Sequence, residues 1–98
     1  MEYFFALLMA YYTCDEAAKV TVLPRPVISQ CGLIYDEMKG HFLPLVDMPK
    51  GEANVIAYTR FKQFEASSSE TIALMREIAR QSVAPLAEST QGARPDVF

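Results

Sequence analysis

Residues 3–12 read Tyr-Phe-Phe-Ala-Leu-Leu-Met-Ala-Tyr-Tyr and carry no polar group except tyrosine hydroxyls. Any fold of this chain must hide that run. A helix needs ~20 apolar residues to cross a bilayer, so the run is too short to span one. Three readings remain: a buried helix, a central strand, or the apolar part of an export signal. Periodicity cannot separate them, because the run is apolar on every face. An export signal normally has a basic start and small residues before its cleavage site. Here the chain begins Met1, Glu2, its first basic residue is Lys19, and the bulky Tyr11 and Tyr12 shortly precede Cys14. These features favour keeping the segment in the fold.

The length of 98 residues fits one domain. With 51% hydrophobic and 21% charged residues, the chain can build a modest core and does not have a disordered composition. The formal charge is −3, and no two of the nine Lys and Arg residues are adjacent. Binding a phosphate backbone needs a clustered basic face, so nucleic acid is disfavoured as a partner. Cys14 and Cys31 are too few for a disulfide scaffold. They form one bridge in an oxidising compartment or stay as two buried thiols in the cytosol, and buried thiols are the simpler reading.

Residues 19–28 are rich in β-branched side chains and contain Pro24 and Pro26, which predicts an edge strand or a polyproline-like strap. Residues 32–48 suggest a hairpin turning at Lys39 and Gly40, with Pro44 placing the return strand at an edge. Pro49, Lys50 and Gly51 read as a second turn. Residues 54–65 fit either periodicity, and their good helix formers favour a helix. Over residues 69–84 a helix is expected, opened by a capping box of Ser67 and Glu70 and stopped by Pro85. Its projection puts Ile72, Leu74, Met75, Ile78, Ala79 and Val83 on one arc. Glu70, Arg76, Glu77, Arg80 and Gln81 fall on the other. Together these elements predict an α+β domain over residues 1–85, with residues 1–14 as a leader-like segment and 86–98 as a flexible tail.

Few residues here point to chemistry. A nucleophilic pair would combine Cys14 or Cys31 with His41, the single histidine, but their spacing does not favour one. The same three residues fall one short of a zinc site. Asp36, Glu37 and Asp47 read as solvated turn acids, and no glycine-rich phosphate loop is present. The aromatic set Tyr35, Phe42, Tyr58, Phe61 and Phe64 offers an aromatic binding patch or core, and core is the commoner role in a protein with no tryptophan. The expectation is a non-enzymatic cytoplasmic interaction protein, without cofactor or metal, whose partner is another protein or a second copy. Ile72, Met75, Ile78, Ala79 and Val83 are the candidate partner-facing residues if the helical arc is not core.

One layout resembles a known family. A short apolar leader over residues 3–13, Cys14, the proline-containing stretch Val22, Leu23, Pro24, Arg25, Pro26, Val27, and a later short helix resemble the small outer-membrane spanin subunits of bacteriophage lysis systems. Cys31 followed by Gly32, Leu33, Ile34 and Tyr35 is similar to a cysteine segment in some of them. The resemblance implies a lipoprotein on the periplasmic face of the outer membrane, with membrane association through residues 3–14. Cys14 would bear the lipid, and Cys31 would be a free thiol able to form a disulfide between chains. The sequence departs from that pattern at the residues before Cys14, which are not small, and in lacking a basic start.

Overall fold

The computed structural model describes the backbone of residues 2–97 and the side chains of residues 2–86. It contains four helices: α1 (Glu2–Val20), α2 (Arg25–Gly40), α3 (Lys50–Ser67) and α4 (Ser69–Val97). No strand occurs among the described residues, so the α+β expectation is overturned and the fold is all-helical.

The apolar run forms most of α1. Its Ala, Leu and Met residues lead directly into Asp15, Glu16, Ala17, Ala18 and Lys19, which are also good or acceptable helix residues. Glu2 in the first turn and Lys19 in the last suit the helix dipole. At 19 residues the element is far longer than a typical strand.

The expected strand over 19–28 and hairpin over 32–48 are replaced mainly by α2, and the prolines explain why. Pro24 sits at the N-cap in an extended conformation, and Pro26 falls within the first helical turn. The missing proline N–H costs nothing there, because the first turn has no intrahelical acceptor for it. Signals that break a strand therefore start a helix. Pro49 likewise is the N-cap of α3, where a turn was expected, and its carbonyl accepts the Ala53 N–H at 3.0 Å. Gly40 has no positive φ and ends α2 instead of turning a hairpin. The helical alternative for residues 54–65 is the one adopted, inside α3.

The α3–α4 junction also differs from expectation. Ser67 belongs to α3 and its hydroxyl donates back to the Gln63 carbonyl at 2.9 Å, so no capping box forms with Glu70. The Ser68 carbonyl instead accepts the Ile72 N–H at 2.9 Å. Pro85, expected to stop this helix, lies inside α4. It removes the bond to the Gln81 carbonyl, but Gln81 and Pro85 are both exposed, so water can replace the lost donor. The tail expected at 86–98 lies, past Leu86, outside the described side chains.

The central element is α1. It packs most extensively on α4 and also on α2, while α3 packs on α2 and α4. Leu8, Tyr12 and Ala79 are fully buried at its interface with α4, joined by Ile72, Met75, Met38 and Phe61 in one core. Aromatic rings fill the space between α1 and α3: Phe4 meets Phe64 at 5.5 Å between centroids, and Tyr11 meets Phe61 at 5.5 Å. The helices α1 and α2 run antiparallel, since Cys14 meets Cys31, Tyr11 meets Tyr35, and Tyr3 meets Glu37.

Candidate functional site: a tyrosine-rimmed groove beside a closed ionic network

Arg76 organises the polar chemistry of the α1–α4 interface. Its guanidinium lies 4.4 Å from the Tyr12 ring centroid and donates to Asp15 at 2.8 Å and Glu16 at 3.0 Å. Glu16 is buried by residue exposure and also accepts from Lys19 at 3.0 Å. The Lys19 bond, with help from Arg76, holds the Glu16 carboxyl below its usual range. The Tyr12 hydroxyl donates to Glu65 at 2.5 Å. Burial first, then that carboxylate, pushes the Tyr12 phenol well above its ordinary pKa. Glu65 accepts from Lys62 at 3.1 Å as well, which raises the Lys62 pKa. Every charge in this network has a partner, and the described residues contain no buried side-chain polar atom without one. The arrangement joins α1, α3 and α4.

Sequence projection placed Arg76 on the solvated arc and did not single out Tyr12, Glu16 or Glu65. The detectable signal was Asp15 and Glu16, acids at the end of an otherwise apolar helix that pack against a neighbour carrying a central arginine.

A shallow groove opens between α1, α2 and α3. Met38, Ala57 and Phe61 form a buried floor, with Tyr11 at its side. Tyr35 and Tyr58 form the rim and are 42% and 57% exposed. The Lys39 ammonium lies 5.6 Å from the Tyr35 ring centre, and that of Lys62 lies 5.6 Å from the Tyr58 centre. Such contacts hold rings upright while the charged heads stay in water. The aromatic set expected to be core is therefore divided. Phe61 is buried, Phe42 and Phe64 are half-buried, and the two tyrosines face solvent.

The other candidate residues are dispersed. Cys14 and Cys31 are joined in a disulfide, with Cα atoms 5.9 Å apart. His41 caps the C-terminal end of α2 and is exposed, its ring 5.2 Å from that of Phe4. Ten residues of helix separate it from Cys31, roughly 15 Å along the axis, so no Cys–His pair is assembled. Asp36 lies 3.8 Å from Lys39, and Glu37 accepts from Tyr3. Among the described residues no group of three His, Cys, Asp or Glu is placed to hold a metal ion, and no helix is long and apolar enough to cross a membrane. On α4, Ile72, Met75, Ala79 and Val83 are buried, whereas Ile78 is 46% exposed and Leu74 62% exposed. The inward stripe runs through 72, 75, 79 and 83, so Ile78 lies off it.

No protein-family model matches this chain, and no curated protein or solved structure is significantly similar to it.

Proposed function

We propose that this chain is a non-enzymatic protein-interaction domain whose contact surface is the groove between α2 and α3. The observation that carries the reading is an apolar floor left open between two exposed tyrosines. Tyrosines on a rigid scaffold are favoured at interfaces, because each offers a large apolar face with little entropy to lose. The groove is shallow and lined mostly by aromatic and apolar side chains, which suits contact with a partner's surface better than enclosure of a small molecule.

A photo-crosslinking phenylalanine analogue in place of Tyr58 tests this. It should yield a defined protein adduct in cells, and Tyr35→Ala should reduce that adduct by about tenfold or more. The same analogue in place of Leu33 is the control. Equal adducts from both positions reject the groove, and an adduct of twice the chain's mass assigns a second copy as the partner.

The disulfide supports a second reading, an exported subunit, since such bonds persist in oxidising compartments and are reduced in the cytosol. In its spanin-like form this reading needs cleavage before Cys14 and a lipid on that sulfur, so that form excludes the Cys14–Cys31 bond and draws no support from it. Leu7, Leu8 and Tyr12 would then be lost from the core. The mass of the mature N-terminus separates the forms: a diacylated Cys14 supports the lipoprotein, and a start at Met1 or Glu2 rejects it.

A further inference from the structure

The two halves of α2 are attached to the rest of the molecule very differently. The second half buries Met38, packs Ile34 against the core, sets Tyr35 6.1 Å from Tyr11 and accepts the Tyr3 hydroxyl at Glu37. In the first half, residues 25–33, every residue except Cys31 is exposed. Among these residues no side chain makes a hydrogen bond or ion pair, and the N-cap, Pro24, gives no side-chain cap. The Cys14–Cys31 bond is the covalent link between this half and α1, and no residue of the half other than Cys31 is even half-buried.

That half is also a poor helix in isolation. It is shorter than the ~12–15 residues at which isolated helices become even marginal. It contains Pro26, Val27, Ile28 and Gly32, none of them a strong helix former. A Cβ built on Gly32 meets nothing within 4 Å, so packing does not require a glycine there. Gly32 directly follows Cys31 and weakens the helix at the boundary between the two halves.

We propose that the Cys14–Cys31 bond is a redox-operated clasp: two-electron reduction by a dithiol releases residues 25–33 from α1 while the rest of the bundle stays assembled. One thiolate of the dithiol attacks a sulfur of the pair, forming a mixed disulfide and freeing the other cysteine. The second thiol of the reductant then attacks the reductant sulfur of the mixed disulfide and expels the remaining cysteine as a thiolate, so the reductant departs as a cyclic or protein disulfide. Two electrons and two protons end on Cys14 and Cys31. Both cysteines are only half-buried, which gives the attacking thiolate access. The released segment becomes a mobile apolar strap bearing Val27, Ile28 and Leu33. The groove residues 35–39 lie beyond it, so this inference stands apart from the groove reading.

Amide hydrogen exchange on the full chain tests the clasp, starting from oxidised protein in which thiol titration finds no free cysteine. Adding dithiothreitol should speed exchange of amides 27–33 by about tenfold or more. Amides of α1, α3 and the described part of α4 should change by less than about threefold. The double variant Cys14→Ser, Cys31→Ser should reproduce the reduced pattern without any reductant. Gly32→Ala should slow exchange of the reduced segment by about fivefold, the equivalent of ~1 kcal/mol, and leave the oxidised protein unchanged. Unchanged exchange at 27–33 overturns the proposal. So does equal loss of protection across all helices, which would make the bond a global staple, and so does finding two free thiols after air oxidation.

Discussion

Two helices pack on α1, and they are held in opposite ways. Along α4 the contact is continuous: Ile72, Met75, Ala79 and Val83 are buried in sequence order, and Arg76 binds two α1 carboxylates between them. Along the first half of α2 no side chain is buried, and a covalent bond, Cys14–Cys31, ties it to α1. The first interface gathers its strength from many small terms that are lost together. The second depends on one term that chemistry can remove. A chain of this size has only ~5–15 kcal/mol of stability, so that contrast decides which part of the molecule can change state without unfolding the remainder.

The largest expected effect lies at the first interface. Leu8→Ala removes a side chain with no exposure and should cost ~2–5 kcal/mol, read as a shift in the denaturant midpoint. Reducing the disulfide should lower global stability by under ~0.7 kcal/mol, because the released segment regains freedom in the folded state as well as in the unfolded one; the ~3 kcal/mol of loop-closure entropy for a bond spanning 17 residues would appear only if the bond were a global staple. If both changes lower global stability equally and both abolish α2 order, the contrast between the two interfaces is wrong.

Arg76→Met comes next. The guanidinium is one-third exposed, which discounts its ion pairs, but its loss leaves buried Glu16 with Lys19 alone. A cost of ~1–2 kcal/mol follows. Acid sharpens the point. The folded-state pKa of Glu16 is lowered from 4.5, so the stability it contributes is present above about pH 4.5 and is lost as pH falls through the folded value. Thermal melts from pH 6 to pH 3 should show a shallower fall for Arg76→Met than for the parent chain. Parallel curves would remove Arg76 from the account.

Tyr12→Phe should cost ~1 kcal/mol near neutral pH, since Glu65 keeps Lys62 as a partner. Its clearer signature is alkaline. The folded phenol titrates above the ordinary value of 10.0, so the unfolded chain loses that proton first and stability declines as pH rises beyond about 10. Tyr12→Phe should reduce that slope between pH 9 and 11. It should not abolish it, because burial raises the Tyr11 phenol in the same direction. A slope unchanged by the substitution counts against a buried Tyr12 phenol.

How far this arrangement was legible in the sequence also divides along the two interfaces. The amphipathic face of α4 could be read because Ile72, Met75, Ala79 and Val83 recur at helical spacing, and they are buried. The run over residues 3–12 announced that it must be hidden but not in which form, because an apolar run has no period to read. The region of α2 was misread through its prolines. Pro24 and Pro26 look the same in sequence whether they interrupt a strand or open a helix, and only the helical good sense of the following residues distinguishes the two. The groove was harder still, since a tyrosine's exposure depends on tertiary placement. The partnership of Arg76 with Asp15 and Glu16 spans some 60 residues and has no local signal.

The smallest effect tests the edge of the α4 stripe against the free half of α2. Ile78 centres the apolar arc drawn from sequence, where truncation would cost as much as in any core. In the structure it is 46% exposed and lies between the buried positions Met75 and Ala79 on a different face. Much of its side chain already meets water, so Ile78→Ala should cost under ~1 kcal/mol. Leu33→Ala, on the exposed first half of α2, should change stability by under ~0.5 kcal/mol. Val83→Ala supplies the contrast, because it removes two methyl groups from a buried site and should cost more than either. A cost of 2 kcal/mol or more for Ile78→Ala, measured by chemical denaturation, would show that α4 is rotated about its axis relative to this structure. The same rotation would carry Arg76 away from Asp15 and Glu16, so the acid-dependence of the Arg76→Met variant should then match that of the parent chain.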